Sequence, residues 1–529
     1  MTDTRKRIVT AAGIIMLGNV VSRLLGLGRE QVIAGFFGNT GTTSAFGAAI
    51  TVPTMLYDLL VQGAISAALI PVFADYAHSD SKDELGKIAG AVLTWALAIL
   101  APAVLILEVF APQVAEILVP GLSPAAQSEA LTLLRIVLPS VIFLGISGIT
   151  TALLYSQQVF TYPAFCVAAY NLGIIVLALL FAPILGPSSL VIGAVVGAFM
   201  QIALQLPGLK GIRLSFSLNL RHPALTRILK LYAPVALGLV VSQIGVLIDR
   251  NLASRTGEDS IAVMRFATTL VQFPLGLAVT ATSFAILPTL SRLGNSEPAD
   301  LQSATESMSS YKETLVMGMK MALLAIIPAT VGLVLLRTPI IRLLFEHGVF
   351  DAYGTARTAL AFLYYAPELP FVAVDQLLIF AFYARKNTLV PTLVGVLGVS
   401  VYVVAGLSLM GPMGMAGLVL ASTLQNSLHA IVLFVLLERA IGSLRGYGLA
   451  STVAKAAGAA LSMAAVFYIL SPYLDAGLNS ESLQGQAVSL IIMATACVAT
   501  YGVALILLRV EEMTLWLRAV RSRLGYRTS

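Results

Sequence analysis

The chain has 529 residues, of which 58% are apolar and only 11% charged, with a mean hydropathy of +0.91 and a net charge of +6. Soluble domains carry roughly 25% charged residues, so this composition excludes an array of soluble domains and predicts an all-α integral membrane protein. The positive charge is assigned to loops facing an anionic cytoplasmic leaflet, not to nucleic acid.

A membrane span needs about 20 apolar residues, and fourteen stretches qualify. Arg5, Lys6 and Arg7 precede the first, 9–36. No cleavage site follows it, so the N-terminus is expected to be retained in the cytoplasm. The others run over 44–74, 88–111, 130–154, 163–183, 188–208, 231–250, 259–290, 314–336, 358–384, 390–410, 413–437, 448–471 and 485–508. Two segments read as amphipathic helices lying at the interface: 338–350 outside, and 510–524 inside with Trp516, Arg518, Arg521 and Arg523. Alternate connecting segments hold 21 Lys and Arg residues on the side of the N-terminus. The opposite set holds five: Arg250, Arg255, Arg337, Arg342 and Arg357. That asymmetry predicts an even number of spans with both termini cytoplasmic. Cys166 and Cys497 lie in apolar stretches and the four histidines (His78, His222, His347, His429) are scattered, so no disulfide framework, metal site or cofactor is expected.

An internal repeat organises the spans. Leu17-Gly-Asn-Val-Val-Ser22 recurs as Leu237-Gly-Leu-Val-Val-Ser242, and Ala64, Ala68 and Pro71 as Ala281, Ala285 and Pro288. Tyr155 with Pro163 recurs as Tyr383 with Pro391, and Gly193 with Gln201 as Gly417 with Gln425. The offsets run from 217 to 228 and map spans 1, 2, 4 and 6 onto 7, 8, 10 and 12. Six intervening spans give a parallel duplication, which places a substrate cavity between two lobes. The predicted organisation is an N-terminal lobe over 1–208, a cytoplasmic linker over 209–230, and a C-terminal lobe over 231–438. Spans 13 and 14 are added over 448–508, followed by a basic amphipathic tail over 509–529. Ala454, Ala457, Gly458, Ala460 and Ala464 put small residues at packing spacing on span 13.

Charges inside the hydrocarbon are functional candidates, since each costs at least about 2.5–3.5 kcal/mol at the centre of a span. Arg23, Arg29 and Glu30 stand on span 1, where Gly26-Leu-Gly28 is expected to kink the helix. Thr51, Thr54, Asp58 and Gln62 line one face of span 2; Gln243, Asp249 and Arg250 stand on span 7; Arg265, Thr268, Thr269 and Gln272 stripe span 8. These faces predict a hydrated cavity, with structural ion pairing, for example Glu30 with Arg250, as the competing reading. Arg135, Lys320 and Lys455 lie nearer span ends and are expected to snorkel. Glu368 and Asp375, seven apart on span 10, are candidates for a proton or cation site, with a structural role as the alternative.

Ser22-Arg-Leu-Leu-Gly-Leu-Gly-Arg-Glu30, Phe36-Phe-Gly38, Ala45-Phe46, Pro53 and Gln62-Gly-Ala-Ile-Ser-Ala-Ala-Leu-Ile-Pro71 resemble the MurJ (MviN) lipid II flippases. So do Phe273-Pro-Leu-Gly276, Leu287-Pro-Thr-Leu-Ser291 and Ala381-Phe-Tyr-Ala384. That family belongs to the multidrug/oligosaccharidyl-lipid/polysaccharide exporter superfamily, and the resemblance extends over essentially the whole chain. It implies a non-enzymatic transporter of the bacterial inner membrane that moves the undecaprenyl-pyrophosphate-linked peptidoglycan precursor from the inner to the outer leaflet. It also implies a lipid-tail groove formed by spans 13 and 14. The expected partners are this lipid-linked saccharide, membrane lipids and the cell-wall synthesis machinery, with the chain acting as a monomer. Arg23, Arg29, Glu30 and Arg250 match the family's substrate residues. Ser44, Tyr57, Gln62 and Thr269 stand where the family carries charges, with Arg265 one turn before Thr269. Ser22, Asp58, Gln62, Asp249, Arg265 and Thr269 complete the expected site, whose charged members sum to about +1.

Two alternatives remain: an exporter of another polyprenyl-linked saccharide, and a transport-inactive scaffold of the same fold. A membrane glycosyltransferase would need carboxylates or histidine on an outer loop. Only 338–357, with Glu346, His347 and Asp351, clusters such groups.

Overall fold

The structure is a computed structural model that describes residues 3–59, 65–77, 82–215, 223–294, 301–477 and 482–513. A bilayer offers no water to unpaired amides, so a spanning segment must satisfy its backbone within itself. All regular structure among the described residues is accordingly helical. The first helices are α1 (Asp3–Phe37), α2 (Gly41–Tyr57), α3 (Ile70–Ala77), α4 (Lys82–Val109), α5 (Ala111–Leu118), α6 (Pro124–Val137) and α7 (Ser140–Ser156). There follow α8 (Thr161–Ala164), α9 (Cys166–Leu185), α10 (Ser188–Gln205), α11 (Pro223–Ser254), α12 (Ser260–Gly294) and α13 (Leu301–Phe345). The last are α14 (Ala352–Tyr365), α15 (Leu369–Ala384), α16 (Leu389–Met413), α17 (Met415–Ile441), α18 (Leu449–Gly477) and α19 (Leu483–Leu507).

Among the described residues, ten helices are long and apolar enough to cross a membrane, and twelve when each of two bent pairs counts as one span. One such pair, α6 with α7, turns by 44° at Pro139, whose ring cannot continue the hydrogen-bond ladder. The described parts of the predicted span 44–74, which are α2, the π-helical turn over Ile65–Leu69 and α3, together with α12 account for the two further segments of the predicted fourteen.

Packing divides the chain into two compact units. The first is Met1–Arg265 with His347–Asp351; the second is Phe266–Glu346 with Ala352–Ser529. In the first unit, α9 and α10 approach until their backbones touch. A Cβ at Gly173 would lie 2.6 Å from the Gly197 Cα, so only glycine fits this crossing. A buried cluster of Val72, Phe73, Leu85, Ile88 and Ala152 ties α3, α4 and α7 together. In the second unit, α18 and α19 pack on α13 through Leu336, Ala459, Ala460, Met463, Met493 and Cys497, and the Tyr501 hydroxyl donates to the Leu324 carbonyl at 3.0 Å.

The repeat is visible inside each unit as local geometry. Gln158 and Lys386 both take positive φ, 61° and 58°, and end α7 and α15 in the same hydrogen-bonded turn. Gln158 N donates to Tyr155 O and Val159 N to Leu154 O. Lys386 N donates to Tyr383 O and Asn387 N to Phe382 O. Gly186 and Gly414, at φ 56° and 59°, join α9 to α10 and α16 to α17. All these correspondences share an offset of 228 residues. The structure therefore corrects the register of span 6 against span 12: the offset of 224 read from Gly193 and Gly417 is one helical turn short, and Gln201 corresponds to His429 instead of Gln425.

Three other expectations change. Residues 338–345 continue α13, with Ile341 and Phe345 buried, so this stretch is the end of a span and not a separate surface helix. The contact face of α18 is Thr452, Ala456, Ala459, Ala460 and Met463, whereas Ala454, Ala457 and Gly458 are exposed. Lys320 does not snorkel: its Nζ meets Glu512 Oε1 at 2.8 Å in a largely buried pair, while Lys455 Nζ donates to the Arg509 carbonyl at 3.2 Å. Residues 514–529, with Trp516, Arg518, Arg521 and Arg523, lie outside the described residues.

Candidate functional site

Glu30 organises the charged centre of the first unit. It sits on α1 with no exposed surface, where a lone carboxylate would be prohibitively costly. Two guanidinium groups compensate it. Arg265, on the first turns of α12, donates Nε to Oε2 and Nη2 to Oε1, both at 2.9 Å, in a bidentate fork. Arg29 donates Nε and Nη2 to Oε1 at 3.0 and 2.6 Å, and its Nη1 reaches Asn171 Oδ1 on α9 at 2.9 Å. Asn171 Nδ2 in turn donates to the Ser22 carbonyl at 3.1 Å, locking α9 against the turn of α1 before Arg23. The Arg265 guanidinium also lies 4.7 Å above the ring of buried Phe46, a cation–π contact that holds it off its own helix. Two arginines against one glutamate leave the group at +1, with Arg29 and Arg265 only 21% and 13% exposed.

The structure thus brings together Arg29, Glu30, Arg265 and, through Asn171, Ser22. Arg23 stands half-buried two turns before Glu30 on the same helix. Glu30 is not paired with Arg250: Arg250 Nη1 lies 3.4 Å from Asp249 Oδ2, its neighbour on α11. Asp58 is half-buried at the C-terminal end of α2, and Gln62 lies outside the described residues. Thr269 follows Arg265 by one turn of α12 and belongs to the second unit. Thr51 and Thr54 turn their hydroxyls back to Gly47 O and Ile50 O of their own helix, so the expected polar face of span 2 is partly self-satisfied. Ser44, where the resembled family carries an acid, is buried and accepts a hydrogen bond from Ala262 N at 3.2 Å, capping an otherwise orphaned amide in the first turn of α12. Beside α1, a cleft of about 510 Å³ is lined by Gly28, Gln31, Gly35, Ile175, Leu179 and His347, with no arginine in its wall.

Glu368 and Asp375 are in the second unit and contact different partners. Glu368 Oε2 accepts from Asn426 Nδ2 at 2.9 Å and Ser422 Oγ at 3.4 Å. Asp375 Oδ1 meets His429 Nδ1 at 2.7 Å. Sequence reasoning missed Asn171, Phe46 and His429 as members of these centres. Asn171 had a signal, as an amide in the middle of an apolar span; His429 had one as a histidine in the middle of span 12.

Long apolar helices, with a buried guanidinium–carboxylate group of net charge +1 in the first unit, define a multi-pass membrane protein. The sequence profile described as "Lipid II flippase MurJ" matches residues 33–484. The lipid II flippase MurJ of Burkholderia cenocepacia is 29% identical over 447 residues, 82% of this chain and 84% of that protein. The probable lipid II flippase MurJ of Haemophilus influenzae is 29% identical over 512 residues, 93% and 98% of the two chains. A solved lipid II flippase MurJ in an inward closed conformation has the same fold, with a TM-score of 0.76 at 23% identity over 93% of this chain and 99% of that one. A multidrug resistance MATE family transporter of the MOP superfamily, in an inward-facing conformation, follows at a TM-score of 0.67, 14% identity and coverage of 82% and 99%. The chain belongs to the MurJ family of lipid II flippases.

Proposed function

We propose that this chain carries undecaprenyl-pyrophosphate-linked peptidoglycan precursor, lipid II, from the inner to the outer leaflet of the bacterial cytoplasmic membrane. Both termini are cytoplasmic, and the two repeats open in alternation to either side. The observation that carries this reading is the Arg29–Glu30–Arg265 group, a desolvated cationic centre held ready by one carboxylate. Guanidinium forks match phosphate oxygens as well as carboxylates. A pyrophosphate arriving at the centre takes over part of the hydrogen bonding that Glu30 now supplies, so the carboxylate positions the arginines and prevents them from collapsing elsewhere between cycles. Arg23 and Arg250 supply further cationic contacts, with Asp249 holding Arg250 as Glu30 holds Arg29 and Arg265. Ser22 and Asp58 complete the polar surroundings within the first unit. The saccharide crosses in water while the polyprenyl tail stays in lipid along the added helices α18 and α19. The chain works as a monomer alongside the cell-wall synthesis machinery.

The test is precursor accessibility at the outer leaflet in cells depleted of the native protein, with the amount of membrane-inserted protein as control. Arg29→Ala and Arg250→Ala are expected to stop the appearance of lipid II outside while leaving protein levels near wild type. Arg29→Lys is expected to fail as well, because a compact ammonium lacks the fork. Wild-type transport by both alanine variants would overturn the reading. Accumulation of a different polyprenyl-linked saccharide on depletion would reassign the cargo.

A further inference from the structure

The repeat lets the two halves of the molecule be compared position by position at the offset of 228 residues. On α7 and α10, Ser147 Oγ donates to Gln201 Oε1 at 2.9 Å, Gln205 Nε2 donates to Ser147 Oγ at 2.8 Å, and Thr151 Oγ donates to Gln205 Oε1 at 3.2 Å. Every member is neutral. The equivalent positions on α15 and α17 carry Asp375 and His429, joined at 2.7 Å. Ser140 corresponds to Glu368, and Ala194 and Ala198 correspond to its donors Ser422 and Asn426. The fold therefore closes this helix crossing with uncharged side chains once, and with three ionisable ones the second time. Ionisable groups in a span are costly and give no packing advantage over the neutral set. Their presence at one of two equivalent positions points to a task beyond holding the helices together.

The chemistry of the pair is proton exchange. His429 is near the middle of α17, and its Nε2–Cδ2 edge faces Gly395 and Gly398 of α16. A carboxylate oxygen accepts, so the contact with Asp375 takes a proton on Nδ1, and a second proton on Nε2 makes the ring an imidazolium. Asp375 and His429 keep 16% and 15% of their side-chain surface, and Glu368 keeps 7%. Among the described residues no group of three or more His, Cys, Asp or Glu could hold a metal ion. The helices packed on the pair add little charge. α16 has no Asp, Glu, Lys, Arg or His, and α14 contributes Arg357. On α13, Lys320 is held by Glu512, Arg342 by Glu346 and Arg337 by the Val334 carbonyl, while Lys312 approaches Gly442, Glu313 lies one residue further along and Glu306 stands in the first turns of the helix.

We propose that Asp375 and His429, with Glu368 two turns earlier, form a proton-binding site through which an inward proton gradient drives the outward movement of lipid II. The inference rests on the flippase reading above. A hydronium ion on the outer side gives its proton to the pair and leaves water. Carboxylate with neutral imidazole becomes carboxylate with imidazolium, a gain of one positive charge, and the proton is returned to water on the inner side.

Two measurements on the full chain test this. The first uses no substrate: ¹⁵N-histidine spectra in lipid nanodiscs, where only four histidines contribute and H429Q assigns the signal. His429 is expected to pass from doubly to singly protonated between about pH 5 and pH 8, and D375S is expected to displace that transition. A ring that keeps one protonation state across the range overturns the proposal. The second follows dye-labelled lipid II in phosphatidylethanolamine–phosphatidylglycerol vesicles with and without an imposed gradient. One proton per cycle raises the outward-to-inward ratio by up to about tenfold per pH unit. D375S/H429Q, which installs the neutral pair that the fold already accommodates in the first half, is expected to remove that response; H429Q alone serves if the double variant does not insert. A wild-type response in the variants, or a sodium gradient acting in place of the proton gradient, overturns the proposal. Absence of lipid II movement by the wild type under any gradient would count against the flippase reading, and the histidine spectra would still decide the proton site.

Discussion

Glu30 accepts four guanidinium hydrogen bonds while wholly buried, so its removal leaves two like charges facing each other without water. Glu30→Ala is expected to cost about 3–5 kcal/mol, the range for breaking a buried pair on one side, seen as a lower unfolding midpoint in detergent. Glu30→Ala with Arg265→Ala should recover part of that loss, because the double change removes the stranded cation along with the anion. Equal destabilisation in the single and double variants would show that the two side chains are energetically independent. Asn171→Ala removes a charge-assisted acceptor for Arg29 and a donor to the Ser22 carbonyl. A loss of about 1.5–3 kcal/mol is expected, with Asn171→Asp restoring the acceptor but not the amide donor.

At the scale of helices, the α9–α10 crossing and the seating of α18 and α19 make separate demands. Gly173→Val places a branched side chain where the Gly197 backbone already stands, so the two helices must part. Overpacking of this kind costs about 1–3 kcal/mol, and more is expected here because the obstacle is backbone; the readout is the same detergent unfolding midpoint. Lys320→Ala strands Glu512, which is 3% exposed. The effect should be local: protease cutting after α17 becomes faster, while the unfolding of residues 1–265 changes little. Unchanged protection of α18 and α19 in that variant would mean that the Leu336, Met463 and Met493 contacts suffice to hold them.

For the whole molecule, the loop charge asymmetry and the fourteen spans together set a topology that chemistry can read. Both native cysteines are buried, so a Cys166→Ala, Cys497→Ala background can carry single reporters. Asp351→Cys, between α13 and α14, should react with an impermeant maleimide in intact cells. Ser443→Cys, between α17 and α18, should react only after the membrane is opened. The reverse pattern would invert the chain, and identical labelling of both would remove one span from the count.

The amino-acid sequence alone determined the helical membrane class, the number of spans, the duplication and the residues worth watching. The bilayer accepts few backbone solutions, and apolar length, loop charge and repeated Gly, Pro and Tyr positions report them directly. Arg29, Glu30 and Arg265 were legible as charges in hydrocarbon, and Glu368 and Asp375 likewise. Partner choice was not. A helical period says which side chains share a face, but the rotation and depth of one helix against another decide which faces meet. Glu30 and Arg265 are 235 residues apart, and Glu30 with Arg250 was as reasonable on paper. The same limit hid Asn171 beneath Arg29 and left His429 without its aspartate. It also left the register of span 6 against span 12 one turn out, because short apolar matches recur at neighbouring turns while a positive-φ hinge such as Gly186 or Gly414 marks the single residue at which one helix passes into the next. Only the tertiary structure decided those pairings, since a desolvated charge takes the partner that packing brings within hydrogen-bond reach.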